Sequence, residues 1–182
     1  APQKGWSSTP SAGVVMMSNK AIEIVENSDS NSFAIDLKKW YSIMRAYENG
    51  GHAYHTTMPT DSLCHFRDTM IETKEYGFDK LCQNQWSLGN SVRSMLQAKG
   101  IKSVAAEGFQ APGVVVSYTN DNEVHNGMKF RDLGMQIAPG VPLMCDEPKD
   151  FSTFRIGLFG LDKLYNLDQS LEQLQKAFNK IF

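Results

Sequence analysis

The chain has 182 residues, a formal charge of -2 and a hydrophobic fraction of 41%, enough for one ordinary domain or one compact domain with a piece of another. Near charge balance and without a basic run, it lacks the footprint of a nucleic-acid binder, and no nucleic-acid partner is expected. Its apolar stretches fall well short of the roughly 18–20 residues that span a bilayer and no leader segment opens it, so it reads as soluble with no membrane partner.

The chain opens on Ala1-Pro2-Gln3-Lys4-Gly5-Trp6-Ser7-Ser8, which reads as the inside of a loop and hints at a fragment or processed product. Gly13 to Met17 is a short apolar run that predicts a buried strand. Ser18 then caps a short helix with Ile22 and Val25 on one face, which dissolves into the polar Asn27 to Ser32 loop. Asp36 opens a second helix, where Leu37, Trp40, Tyr41, Met44 and Tyr47 recur at helical spacing until Gly50-Gly51. Gly51 to Pro59 has no period and reads as a loop. Thr60 or Asp61 is placed to cap a third helix carrying Leu63, Phe66, Met70 and Ile71 as far as Gly77. Phe78 to Lys99 is the longest helical pattern, stopped by Gly100.

Beyond it the period changes. Lys102 to Ala105 and Gly113 to Tyr118 predict strands, the second rich in β-branched residues. Asn122 to Leu133 predicts a helix, Met135 to Ala138 a strand, Pro139 to Ser152 a long loop and Thr153 to Leu158 another strand. A final helix places Leu167, Leu171, Leu174, Phe178 and Ile181 on one face. The part after residue 60 therefore alternates helices and strands around a small sheet. The part before it has one strand and two helices, too little to enclose a core.

Three cysteines, Cys64, Cys82 and Cys145, stand at wide and irregular spacing. They form neither a disulfide framework nor a CxxC metal site, and reduced, buried thiols in a cytoplasmic protein are expected. His52 and His55 have no third ligand at a sensible spacing, so no metal is expected.

Three stretches offer chemistry. Lys4 is either a solvated charge or an amine nucleophile for a Schiff base, the latter needing burial or a cationic neighbour. Tyr54-His55-Thr56-Thr57 gathers a phenol, an imidazole and two hydroxyls, donors suited to a phosphate or to capping the helix at Thr60. Arg155 sits inside an apolar strand, where it either faces outward, pairs with Asp150 or Glu147, or presents its planar fork to a substrate carboxylate. A Schiff-base lysine, a phosphate loop and a carboxylate arginine together are what amino-acid chemistry on pyridoxal phosphate requires.

In that order, Pro2-Gln3-Lys4-Gly5-Trp6, His52 to Pro59 and Phe154-Arg155-Ile156-Gly157-Leu158-Phe159-Gly160 resemble the alanine–glyoxylate and serine–pyruvate aminotransferases of class V, fold type I. The resemblance runs through the whole chain but covers only the later half of such an enzyme. It implies an α/β fold: an α+β small domain, residues 51–182, with an antiparallel or mixed sheet covered by helices. Residues 1–50 would be an incomplete remnant of the large cofactor-binding domain. It further implies that Lys4 holds pyridoxal 5'-phosphate as a Schiff base and that Gln3 lies against the cofactor phosphate. Tyr54 and Thr57 would reach the neighbouring subunit's cofactor across a homodimer interface, and Arg155 would bind the substrate α-carboxylate.

The substrates implied are a small amino acid, alanine or serine, and a 2-oxo acid, glyoxylate or pyruvate. The family's phosphate-binding turn, its ring-stacking aromatic and its ring-nitrogen aspartate belong ahead of residue 1, so the isolated chain is expected to be inactive. Two alternatives stand beside this reading. One is another fold type I enzyme, a lyase or a desulfurase using Cys145; the other is a non-catalytic domain. Val14, Val15, Met16, Trp40 and Tyr41 are expected to be buried by self-association or to remain mobile.

Overall fold

A computed structural model describes residues 1–182. Its centre is a three-stranded antiparallel sheet of β1 (Val114–Tyr118), β2 (Ala138–Pro139) and β3 (Thr153–Gly157), in the order β1-β3-β2. Two-residue alternation divides the sheet into two faces. Val115 pairs with Ile156 and Ser117 with Phe154, and these four side chains are buried on one face. Arg155 sits on the opposite face of the central strand, between Val116 on β1 and Ala138 on β2.

Helices cover the first face. The α4 helix (Phe78–Ala98) supplies Leu88, Val92 and Leu96, and α8 (Leu167–Ile181) supplies Ala177 and Phe178. Between them lie Val124 of α5 (Asn122–His125), Phe130 of α6 (Met128–Arg131) and Leu164 of α7 (Leu161–Leu164). Phe130, Phe154, Phe178 and Phe182 form the centre of this core, with ring centroids 5.9–6.4 Å apart. Each of the fully buried rings, Phe130, Phe154 and Phe178, contributes on the order of 1.5–3 kcal/mol by leaving water.

The earlier part is built differently. The α1 helix (Asn19–Glu26) and α2 (Leu37–Glu48) begin at the predicted caps: Ser18 Oγ accepts from the Ala21 amide at 3.2 Å and Asp36 Oδ1 from the Lys39 amide at 3.0 Å. Neither helix has a buried residue. Among residues 1–60 only Pro2 and Ser8 are buried, so the hydrophobic core belongs to the later part. No helix is long and apolar enough to cross a membrane.

Several expectations are corrected. Gly13 to Met17 joins no sheet, and Val15 and Met16 are 56% and 90% exposed; an apolar run becomes a strand only beside a partner strand, and none lies next to it. Lys102 to Ala105 makes a single bridge, Ser103 to Ser117, and of Met135 to Ala138 only Ala138 joins the sheet. The helix expected over 122–133 is split at Gly127, whose φ of 79° lies in the left-handed region.

On α3 (Thr60–Tyr76) the cap position is Pro59 rather than Thr60 or Asp61, and its carbonyl accepts the first helical bond from the Leu63 amide. The buried residues of α3 are Thr69 and Thr73, while Met70 and Ile71 are exposed. Those threonines satisfy their hydroxyls on the carbonyls of Phe66 and Thr69. All three cysteines are free and exposed rather than buried, because the helix faces that carry Cys64 and Cys82 are not the packed ones.

Candidate active site

The segment around Lys4 is a folded turn. The Ser7 amide donates to the Lys4 carbonyl at 2.9 Å and the Ser8 amide to the Pro2 carbonyl at 3.0 Å. Its outer side docks on α3: the Trp6 ring meets Phe66 edge-on at 5.9 Å, and the buried Ser8 hydroxyl lies 3.3 Å from His65 Nδ1. Its inner side docks on the chain leaving β3. Gly160, with φ of 112°, is approached so closely by Ser7 that a Cβ there would sit 2.5 Å from the Ser7 hydroxyl. No other residue type allows both that φ and that approach.

This docking carries the Lys4 amine to 5.7 Å from the centre of the Phe159 ring, within cation–π reach. Lys4 is exposed and has no ion-pair partner. Gln3 is exposed as well. A Cβ on Gly5 would meet nothing within 4 Å, so the turn leaves room beside the lysine.

Phe159 lies on the Arg155 side of the sheet. Its ring bends back over Gly157, and a Cβ on Gly157 would touch it at 3.6 Å. The strand run from Arg155 to Phe159 thus brings the lysine and the arginine to one sheet face. Arg155 Nε donates to the Pro139 carbonyl at 2.9 Å, while Nη1 and Nη2 have no protein partner. The possible pairing with Glu147 or Asp150 is not made. Glu147 instead accepts the amides of Met144 at 3.0 Å and Cys145 at 2.9 Å, and these backbone donors hold its carboxyl down from 4.5 to about 2. Met144 and Asp146 take left-handed backbone conformations to form that loop.

The Tyr54 to Thr57 loop lies elsewhere. His55 pins it to the α2 region, with Nε2 2.9 Å from the Phe33 carbonyl and its ring packed on Phe33 and Trp40 at 4.3 and 4.9 Å. That imidazole is committed to structure. The Tyr54 hydroxyl and Thr57 Oγ1 are 3.0 Å apart, and Tyr54 is 73% exposed. No hydrogen bond links this pair to Lys4 or Arg155. The structure therefore brings Lys4 and Arg155 to one face and leaves Tyr54 and Thr57 as a separate, outward-facing hydroxyl pair.

Gly160, which seats the lysine turn, and Pro139, which fixes Arg155, carry no signal of a functional type in the sequence. No protein-family profile matches the chain, and no curated protein matches it. Solved structures do. An alanine–glyoxylate aminotransferase from Nostoc sp. superposes with a TM-score of 0.77 at 19% identity, over 98% of this chain and 46% of that one. A ureidoglycine–glyoxylate aminotransferase from Bacillus subtilis superposes with a TM-score of 0.61 at 17% identity, over 86% of this chain and 39% of that one. The chain spans less than half the length of the enzymes it is similar to, and at this identity the likeness is one of fold: helices around a small antiparallel sheet, matching part of the fold of those two aminotransferases.

Proposed function

We propose that the chain supplies the C-terminal part of a pyridoxal-phosphate-dependent aminotransferase, whose parent moves an amino group from alanine or serine to glyoxylate or pyruvate. On this reading residues 1–50 belong to the large cofactor-binding domain and residues 51–182 form the small domain. The observation that supports it is that the Lys4 amine, 5.7 Å from the centre of the Phe159 ring, and Arg155, with Nη1 and Nη2 unpaired, lie toward the same sheet face although they come from opposite ends of the chain.

The residues present fit the cofactor in access rather than in activation: the Lys4 amine is open to a ligand, with space at Gly5, while the burial or cationic neighbour that would activate it is not supplied by this chain. When bound, pyridoxal phosphate supplies the electron-withdrawing ring that makes the substrate Cα proton removable. Lys4 would anchor the cofactor and then serve as the base that takes and returns that proton. Gln3 would contribute to holding the phosphate. Arg155 holds the α-carboxylate by two-point contact through Nη1 and Nη2, which fixes the Cα in front of the lysine. Tyr54 and Thr57 would donate to the phosphate of the cofactor in the other subunit of a homodimer, in keeping with their outward placement.

Titrating pyridoxal phosphate into the chain is expected to raise a near-visible absorption band that Lys4→Ala abolishes. Failure to form the band at saturating cofactor removes catalysis by this chain and leaves the non-catalytic reading.

A further inference from the structure

We propose that Gly140 is the positioning residue for Arg155: by letting β2 close on β3 with no side chain between them, it sets the Pro139 carbonyl against Nε and leaves both Nη atoms free for a carboxylate. The inference rests on the carboxylate role given to Arg155 above.

The close approach is dictated by geometry. The Gly140 amide donates to the Thr153 carbonyl at 3.0 Å. A Cβ at Gly140 would lie 2.0 Å from Thr153 Oγ1 and 2.3 Å from the Thr153 carbonyl oxygen, distances no side chain tolerates. Thr153 has nowhere to retreat, since it is 1% exposed and its carbonyl also accepts from His125 Nδ1 at 2.6 Å. Neither the backbone nor the side chain of Thr153 is free to make room.

The next link is on the other side of Gly140. Pro139 has no amide hydrogen, so its carbonyl is the polar group it can offer, and Arg155 Nε takes it at 2.9 Å. A guanidinium is planar, so one bond at Nε orients the whole fork. The ordering that a two-point carboxylate contact requires is then largely in place before any ligand arrives. An arginine without this lock would have to find the geometry on binding.

The test uses the 15N-labelled chain, with the Arg155 Nε–H signal assigned by its loss in Arg155→Lys. In the wild-type chain this hydrogen is expected to exchange with water about tenfold or more slower than that of an exposed arginine. In Gly140→Ala the protection is lost and the apparent Kd for pyruvate, read from the same signal, rises about tenfold or more, while amide protection in α4 and α8 is retained. Free exchange in the wild-type chain overturns the inference even if the alanine variant does not fold. Retention of both protection and pyruvate affinity in Gly140→Ala overturns it as well. Protection that is lost in Gly140→Ala, without any response to pyruvate in the wild-type chain, upholds the Gly140 lock and removes the carboxylate role of Arg155, which separates the two claims.

Discussion

At the scale of single residues, the site depends on which polar groups are already engaged. Glu147 is one of two candidates in the preceding loop for neutralising Arg155, and the loop's own amides hold it instead. Its carboxyl should titrate near 2 rather than 4.5. Because the folded value is depressed, its contribution to loop stability is complete above the unfolded value and lost as pH falls through about 2. A carbon-detected NMR titration of the side-chain carboxyl reads this directly; a midpoint above 4 would mean the loop does not grip the carboxylate. Arg155 was legible in sequence because an arginine inside an apolar strand demands an anion or a polar anchor. Gly140 and Gly160 were not, since their need for glycine comes from Thr153 and Ser7, contacts that no local pattern encodes.

Among the elements, those governed by local chemistry match their sequence most closely. The oxygens of Ser18 and Asp36 bond the amides three residues on, as a cap ahead of a periodic run should. Asp36→Ala is expected to cost α2 about 1 kcal/mol, seen as faster amide exchange within Leu37–Glu48 while the α4 and α8 amides keep their protection. Equal loosening throughout would contradict the separation of α2 from the core. In the core itself, Phe178 is fully buried against Phe130 and Phe182, and Phe178→Ala should lower stability by roughly 3–5 kcal/mol in urea unfolding. A loss under about 1 kcal/mol would place the core elsewhere. Elements whose burial is set by distant partners were misread: the apolar pattern of α3 pointed to Met70 and Ile71, yet its buried side chains are Thr69 and Thr73.

For the whole molecule, the uneven distribution of burial is the leading fact. The later part closes a core around its sheet, whereas Val14, Val15, Met16, Ile24 and Met44 stand exposed on the earlier part. Such a surface favours association, and sedimentation should show concentration-dependent assembly that a double substitution, Val15→Asp with Met16→Asp, weakens. A strictly monomeric chain with well-ordered first 50 residues would contradict this. The proposed role of Lys4 as the cofactor lysine is tested by brief exposure to substoichiometric pyridoxal phosphate, borohydride reduction and peptide mapping. Label is expected on Lys4 ahead of every other lysine, and label scattered over the surface with none favouring Lys4 would rule that role out.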